Sequence, residues 1–142
     1  MSPARNAATK SSEKPADLGV LPEWNLADLY PGLDSPEFAA DLKRAEGECR
    51  AFADKWRGKL GAAAKGASAS KKLADAVKGY EALQDLLGRI MAYAGLVYAG
   101  NTADPKRAKL YGDVQEKMTD ASAHLLFFAV ELNLVDDALI EA

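Results

Sequence analysis

A chain of 142 residues fits one domain, able to bury about two-thirds of its unfolded surface. Its 49% hydrophobic and 27% charged residues are ordinary for a globular protein, and a net charge of −3 argues against nucleic acid, which needs a concentrated basic surface. The one cysteine, Cys49, excludes an internal disulfide and a thiolate metal cluster.

Residues 1–20 are small and polar, with Pro3 and Pro15, and are expected to be a disordered tail. Met1–Leu18 has no continuous apolar core and does not read as a secretory signal. The longest apolar runs, Ile90–Ala99 and Leu125–Val130, fall far short of the roughly 20 residues that span a bilayer. The expectation is a cytoplasmic chain with no membrane and no nucleic-acid partner.

Leu21–Gly32 mixes large apolar groups with Pro22, Pro31 and Gly32, which prevent a long helix. Trp24, Leu26, Leu29 and Tyr30 all call for burial, so this segment reads as an ordered strap. The first helix starts at Asp34-Ser35-Pro36-Glu37, where Asp34 or Ser35 caps and proline takes the first helical position. Phe38, Leu42, Ala45, Cys49, Phe52 and Trp56 form a seam spaced 4-3-4-3-4, the period of packed helices, and the pattern ends at Gly58 and Gly61.

Ala62–Ala69 carries no large side chain and reads as a loop or a weakly anchored turn, with Ser68 or Ser70 available as a cap. The second helix, Ser70–Ala99, places Leu73, Ala76, Tyr80, Leu83, Leu87, Ile90, Ala94 and Val97 on one stripe and runs about 45 Å. Gly79, Gly88 and Gly95 lie inside it at about 1 kcal/mol each relative to alanine, which suggests close approach of another backbone or a kink.

Gly100-Asn101 stops this helix and Asp104-Pro105 starts the next, so the two become antiparallel neighbours. The third helix, Asp104–Leu132, presents Leu110, Val114, Met118, Ala121, Leu125, Phe128 and Leu132, backed by Tyr111, Phe127 and Val130. Asp136 then caps a further apolar segment at Ala138–Ile140, one turn before the last residue, a pattern expected of a fragment. The fold class is all-α: a strap, then three long amphipathic helices, the last two an antiparallel hairpin.

The chemistry-bearing inventory is thin. His124 is the only histidine and is followed by Leu125, so one chain cannot supply two His and a Glu to zinc, and packing is its expected role. The carboxylate pairs Asp136/Asp137, Glu37/Asp41 and Glu46/Glu48 read as a cap and as solvated faces. Lys71-Lys72 and Lys106-Arg107 read as solvated helix starts. Gly58-Lys59-Leu60-Gly61 lacks the spacing of a phosphate loop. Cys49 on the seam reads as an inert buried thiol. Tyr80, Tyr93, Tyr98 and Tyr111 read as packing or, alternatively, as the border of a groove. No catalytic, cofactor-binding or metal residue is assigned.

Pro22-Glu23-Trp24-Asn25-Leu26-Ala27-Asp28-Leu29-Tyr30, joined to Ser35-Pro36-Glu37-Phe38, resembles the N-terminus of the oligoendopeptidase F family of zinc metallopeptidases. Arg89–Tyr98 followed by the Asn101–Pro105 turn is similar to that family's early helical hairpin, as is Ala121–Glu131 followed by Leu134–Asp137. The resemblance runs from about Leu21 to the end. It implies a mostly helical, two-lobed peptidase that cleaves short peptides in an internal channel. Its zinc would be held by H-E-x-x-H and a downstream Glu, all in a C-terminal half absent from this sequence. Residues 21–142 would then be a truncated, non-catalytic N-terminal lobe that walls or gates the channel. Its partners would be the C-terminal catalytic domain and peptide substrates, with self-association through a face left uncovered. The competing reading is a free-standing helical module that binds another helix.

Overall fold

The computed structural model describes Gly19 and residues 24–135, and every regular element among them is a helix. The expected tail (Gly19 aside), the strap residues 21–23 and the capped segment from Asp136 lie outside the described residues.

Helix α1 spans Pro36–Trp56. Ser35, not Asp34, supplies the cap: its buried Oγ accepts from the Phe38 N–H at 3.3 Å, with Pro36 opening the helix. The seam is buried as expected at Phe38, Ala45, Cys49, Phe52 and Trp56, with Leu42 packed at its edge. The chain then turns at Gly58, whose φ of +74° suits a residue without a side chain.

A short helix α2, Leu60–Ala63, follows where a loop or weak turn was expected to begin. Leu60 anchors it, fully buried. Helix α3 runs Ala69–Gly100, about 48 Å. Ser68 stands at its cap position, but the hydroxyl makes no capping bond, contrary to expectation.

At the hairpin turn, Asn101 Oδ1 accepts from the Ala103 N–H and Asp104 Oδ1 from the Lys106 N–H, which starts helix α4, Pro105–Ala123. Arg107 reaches back to donate to the Val97 carbonyl at 3.1 Å. Tyr98 stacks on Tyr111 beside the turn, and Tyr80 stacks on Phe128 far from it. Positions on α3 fall as their partners' positions rise, the contact order of antiparallel neighbours.

The third helix is not continuous. It breaks after Ala123 and resumes as α5, Leu126–Leu132. Across the break the backbone bonds tighten to three-residue turns, His124 N–H to Ala121 and Leu125 N–H to Ser122. The Ser122 hydroxyl donates to the Thr119 carbonyl, a back-bond that bends helices, and Arg57 donates to the His124 carbonyl at 3.4 Å.

α1 lies against both α3 and α4, and α2 bridges α3 and α5. Two aromatic clusters mark its ends. Tyr30, Phe38 and Tyr93 meet edge-on with every centroid pair 5.0 Å apart. Phe52 meets Tyr80, Phe127 and Phe128 at the other end. Of the strap residues that called for burial, Tyr30 is buried and Leu26 and Leu29 pack on the core, but Trp24 is 76% exposed. Val130, expected to back the core, also faces outward, because Phe128 and Leu132 take the inward row of α5.

Candidate functional site: an uncharged groove on the helical hairpin

Several of the candidate polar residues pair with one another along α1 and at the hairpin turn. Asp41 accepts from the Tyr30 hydroxyl at 2.8 Å and pairs with Arg44, which also holds Glu48; Arg50 holds Glu46. Burial, with Asp41 as the hydroxyl's acceptor, pushes the Tyr30 phenol up to about 12, and burial raises Tyr93 as well. Cys49 is fully buried, its thiol pushed up to about 11 by desolvation and the nearby Glu48 charge, so no thiolate forms near neutrality. Lys71 and Lys72 are exposed in the first turn of α3. Arg107 pairs with Asp104 at 3.5 Å.

His124 sits half-buried at the α4–α5 break, outside either helix. No group of three or more His, Cys, Asp or Glu converges among the described residues. Among the described residues the one imidazole belongs to no such group, and the Arg57 guanidinium donates to the carbonyl of the same residue.

The tyrosines pack against other rings, and none lines the groove described below. Tyr93 is buried, while Tyr80, Tyr98 and Tyr111 are half-buried and stacked. The α3 glycines divide. A Cβ on Gly79 would meet the Phe52 ring at 3.2 Å, and one on Gly95 would touch Tyr111 at 3.7 Å. A Cβ on Gly88 would meet nothing, so no neighbour in the fold requires a glycine there.

Gly88 lies instead in an open groove of about 370 Å³ between α3 and α4, lined by Gln84, Leu87, Gly88, Met91, Gln115, Met118, Thr119 and Ser122. Positions 84, 88 and 91 fall on the side of α3 away from Gly79, the position that touches α1. Leu87 and Met118 form a buried apolar floor, with Met91 half-buried. The exposed amides of Gln84 and Gln115 stand on the rim, each able to donate and accept. The Thr119 hydroxyl donates to the Gln115 carbonyl, so its oxygen remains free to accept. No lining residue is charged, in a chain where 27% of residues are.

Such a surface can take an uncharged chain: methionines adapt to varied apolar shapes and the amides match peptide N–H and C=O groups. Sequence periodicity marked Leu87 and Met118 only as core. The rim stays hidden in the sequence because no local pattern sets Gln84 and Gln115 apart, and only the pairing of α3 with α4 brings them together. Compared with known proteins, the chain matches no family model, no curated protein and no solved structure.

Proposed function

We propose that this chain is the non-catalytic N-terminal helical lobe of an oligoendopeptidase F-like zinc metallopeptidase, and that its α3–α4 groove lines the channel through which short peptides pass. The observation that carries the reading is the charge-free groove, with apolar floor and amide rim, on the outer side of a long hairpin. The strap and hairpin residues that resemble the family supply its name. Peptide hydrolysis, zinc and cytoplasmic location belong to the whole enzyme in this reading; the chain's own part is to shape what enters.

The test is binding without turnover. Titrating the chain with a short uncharged peptide should shift the backbone amide resonances of Gln84, Gly88, Gln115 and Thr119, and Gly88→Trp should abolish those shifts while leaving the rest of the spectrum in place. No zinc-dependent cleavage of a quenched peptide should accompany binding. A reading frame without a downstream H-E-x-x-H would sink the proposal, as would turnover by the purified chain. A free-standing interaction module is the outcome if light scattering shows one defined symmetric assembly and peptide leaves the groove resonances unmoved.

A further inference from the structure

The charges of this acidic chain are unevenly placed. Of 18 lysines and arginines and 21 aspartates and glutamates, seven cations and one carboxylate, Asp75, fall between Lys55 and Lys78. Eleven cations face twenty carboxylates elsewhere.

The fold gathers that basic stretch at one end of the bundle: Lys55 on the last turn of α1, Arg57, Lys59 and Lys65 in the turns flanking α2, and Lys71, Lys72 and Lys78 on the first turns of α3. All seven cations are exposed, and none enters an ion pair among the described residues. Lys55 covers the Trp56 ring, Arg57 covers Phe127 and Lys59 donates to the Asp54 carbonyl, contacts that leave the charge uncompensated. The carboxylate α5 brings here, Glu131, is engaged by the Gly58 N–H at 2.6 Å.

α5 is part of the same end: it packs on α2, and Val135 just beyond it is buried with Ala64 and Leu73. From α5 and the residue after its C-cap, Leu126, Val130 and Leu134 stand 71%, 63% and 81% exposed at four-residue spacing. Six lysines, one arginine and a row of bare aliphatic side chains therefore share one end of the molecule.

We infer that this end docks on the surface of an anionic lipid bilayer. Lysine heads sit at anionic headgroups while their stems lie along apolar surface, and an aliphatic row enters the headgroup–acyl boundary. Nucleic acid is the poorer match, since phosphate and base recognition favours arginine forks and stacking aromatics over leucine and valine. The docking is peripheral: no helix among the described residues is long and apolar enough to cross a membrane. It runs against the expectation of no membrane partner, which followed from the length of the apolar runs and saw neither the clustering nor the exposed row. It does not depend on the peptidase reading.

Co-sedimentation with phosphatidylcholine vesicles, with and without phosphatidylserine, tests it. Binding should require phosphatidylserine and weaken as salt rises. Lys71→Glu combined with Lys72→Glu should lower partitioning by roughly tenfold or more, and Val130→Ser combined with Leu134→Ser should lower it independently. All four positions are exposed, and circular dichroism would confirm an unchanged fold. Failure to bind either vesicle, equal binding to both, or binding unaffected by the serine variants would overturn the inference. So would tighter capture by duplex DNA or polyglutamate than by the anionic vesicles. None of these outcomes bears on the Gly88 groove, so the two readings fail separately.

Discussion

The guanidinium of Arg89 lies over the ring of Tyr30, 4.8 Å from its centroid, while its Nη2 donates to the carbonyl of Leu29. One α3 side chain thus holds the strap by face and by backbone. Tyr30 completes the seat through Phe38, Tyr93 and the Asp41 carboxylate. Tyr30→Ala should cost about 3–5 kcal/mol by emptying an aromatic cluster, and Tyr30→Phe about 0.5–1.5 kcal/mol, the worth of one hydrogen bond. Urea midpoints at constant slope would check both, and a strap merely lying on the surface would show neither.

The same tyrosine sets an alkaline limit. Its phenol is raised from 10.0 to about 12 in the fold, so between those values the unfolded chain has lost a proton that the native chain keeps. The stabilisation is whole below pH 10 and drains as pH rises towards 12. Cys49 adds a second loss over pH 9 to about 11. Stability followed from pH 8 to 11.5 should fall less steeply in Tyr30→Phe than in the parent. Equal slopes would show that Tyr30 does not titrate in this way.

The α3 glycines should respond with opposite signs. Gly88→Ala should stabilise by up to about 1 kcal/mol, since helix propensity rises and the new methyl meets nothing. Gly79→Ala gains the same propensity but drives a methyl against Phe52, whose ring is hemmed in by Tyr80, Phe127 and Phe128. Net destabilisation is expected at Gly79. Thermal midpoints of the two variants moving the same way would count against this packing.

α5 hangs on a small set of cross-links. Glu131→Ala removes the acceptor of the Gly58 N–H, and Arg57→Ala frees the His124 carbonyl. Each should cost about 1 kcal/mol, and amide exchange should speed up in 124–132 while α3 remains protected. Uniform acceleration across the chain would mean that α5 opens only with the whole molecule.

Polar caps and chain breakers are legible in the sequence. Ser35-Pro36 and Asp104-Pro105 both start helices as expected, because the capping oxygen and the proline act within a few residues. The break at His124–Leu125 carries no Gly or Pro, and the core row Val114, Met118, Ala121, Leu125, Phe128 runs through it without changing period. A pattern that stays in phase cannot reveal an interruption. Trp24 is exposed against expectation for a related reason, since size argues for burial but says nothing of whether a neighbour is there to provide it. The groove and the basic end were out of reach because each joins residues from different helices.

The two aromatic clusters on α1 have a mechanical consequence. They sit at Phe38 and Phe52, about 21 Å apart along the helix axis, and each grips partners on other elements. A slip of α1 by one turn, about 5.4 Å, would unseat both rings at once. Intermediate sliding states are therefore closed to this helix, which engages the hairpin in a single alignment, like a key with teeth cut at both ends.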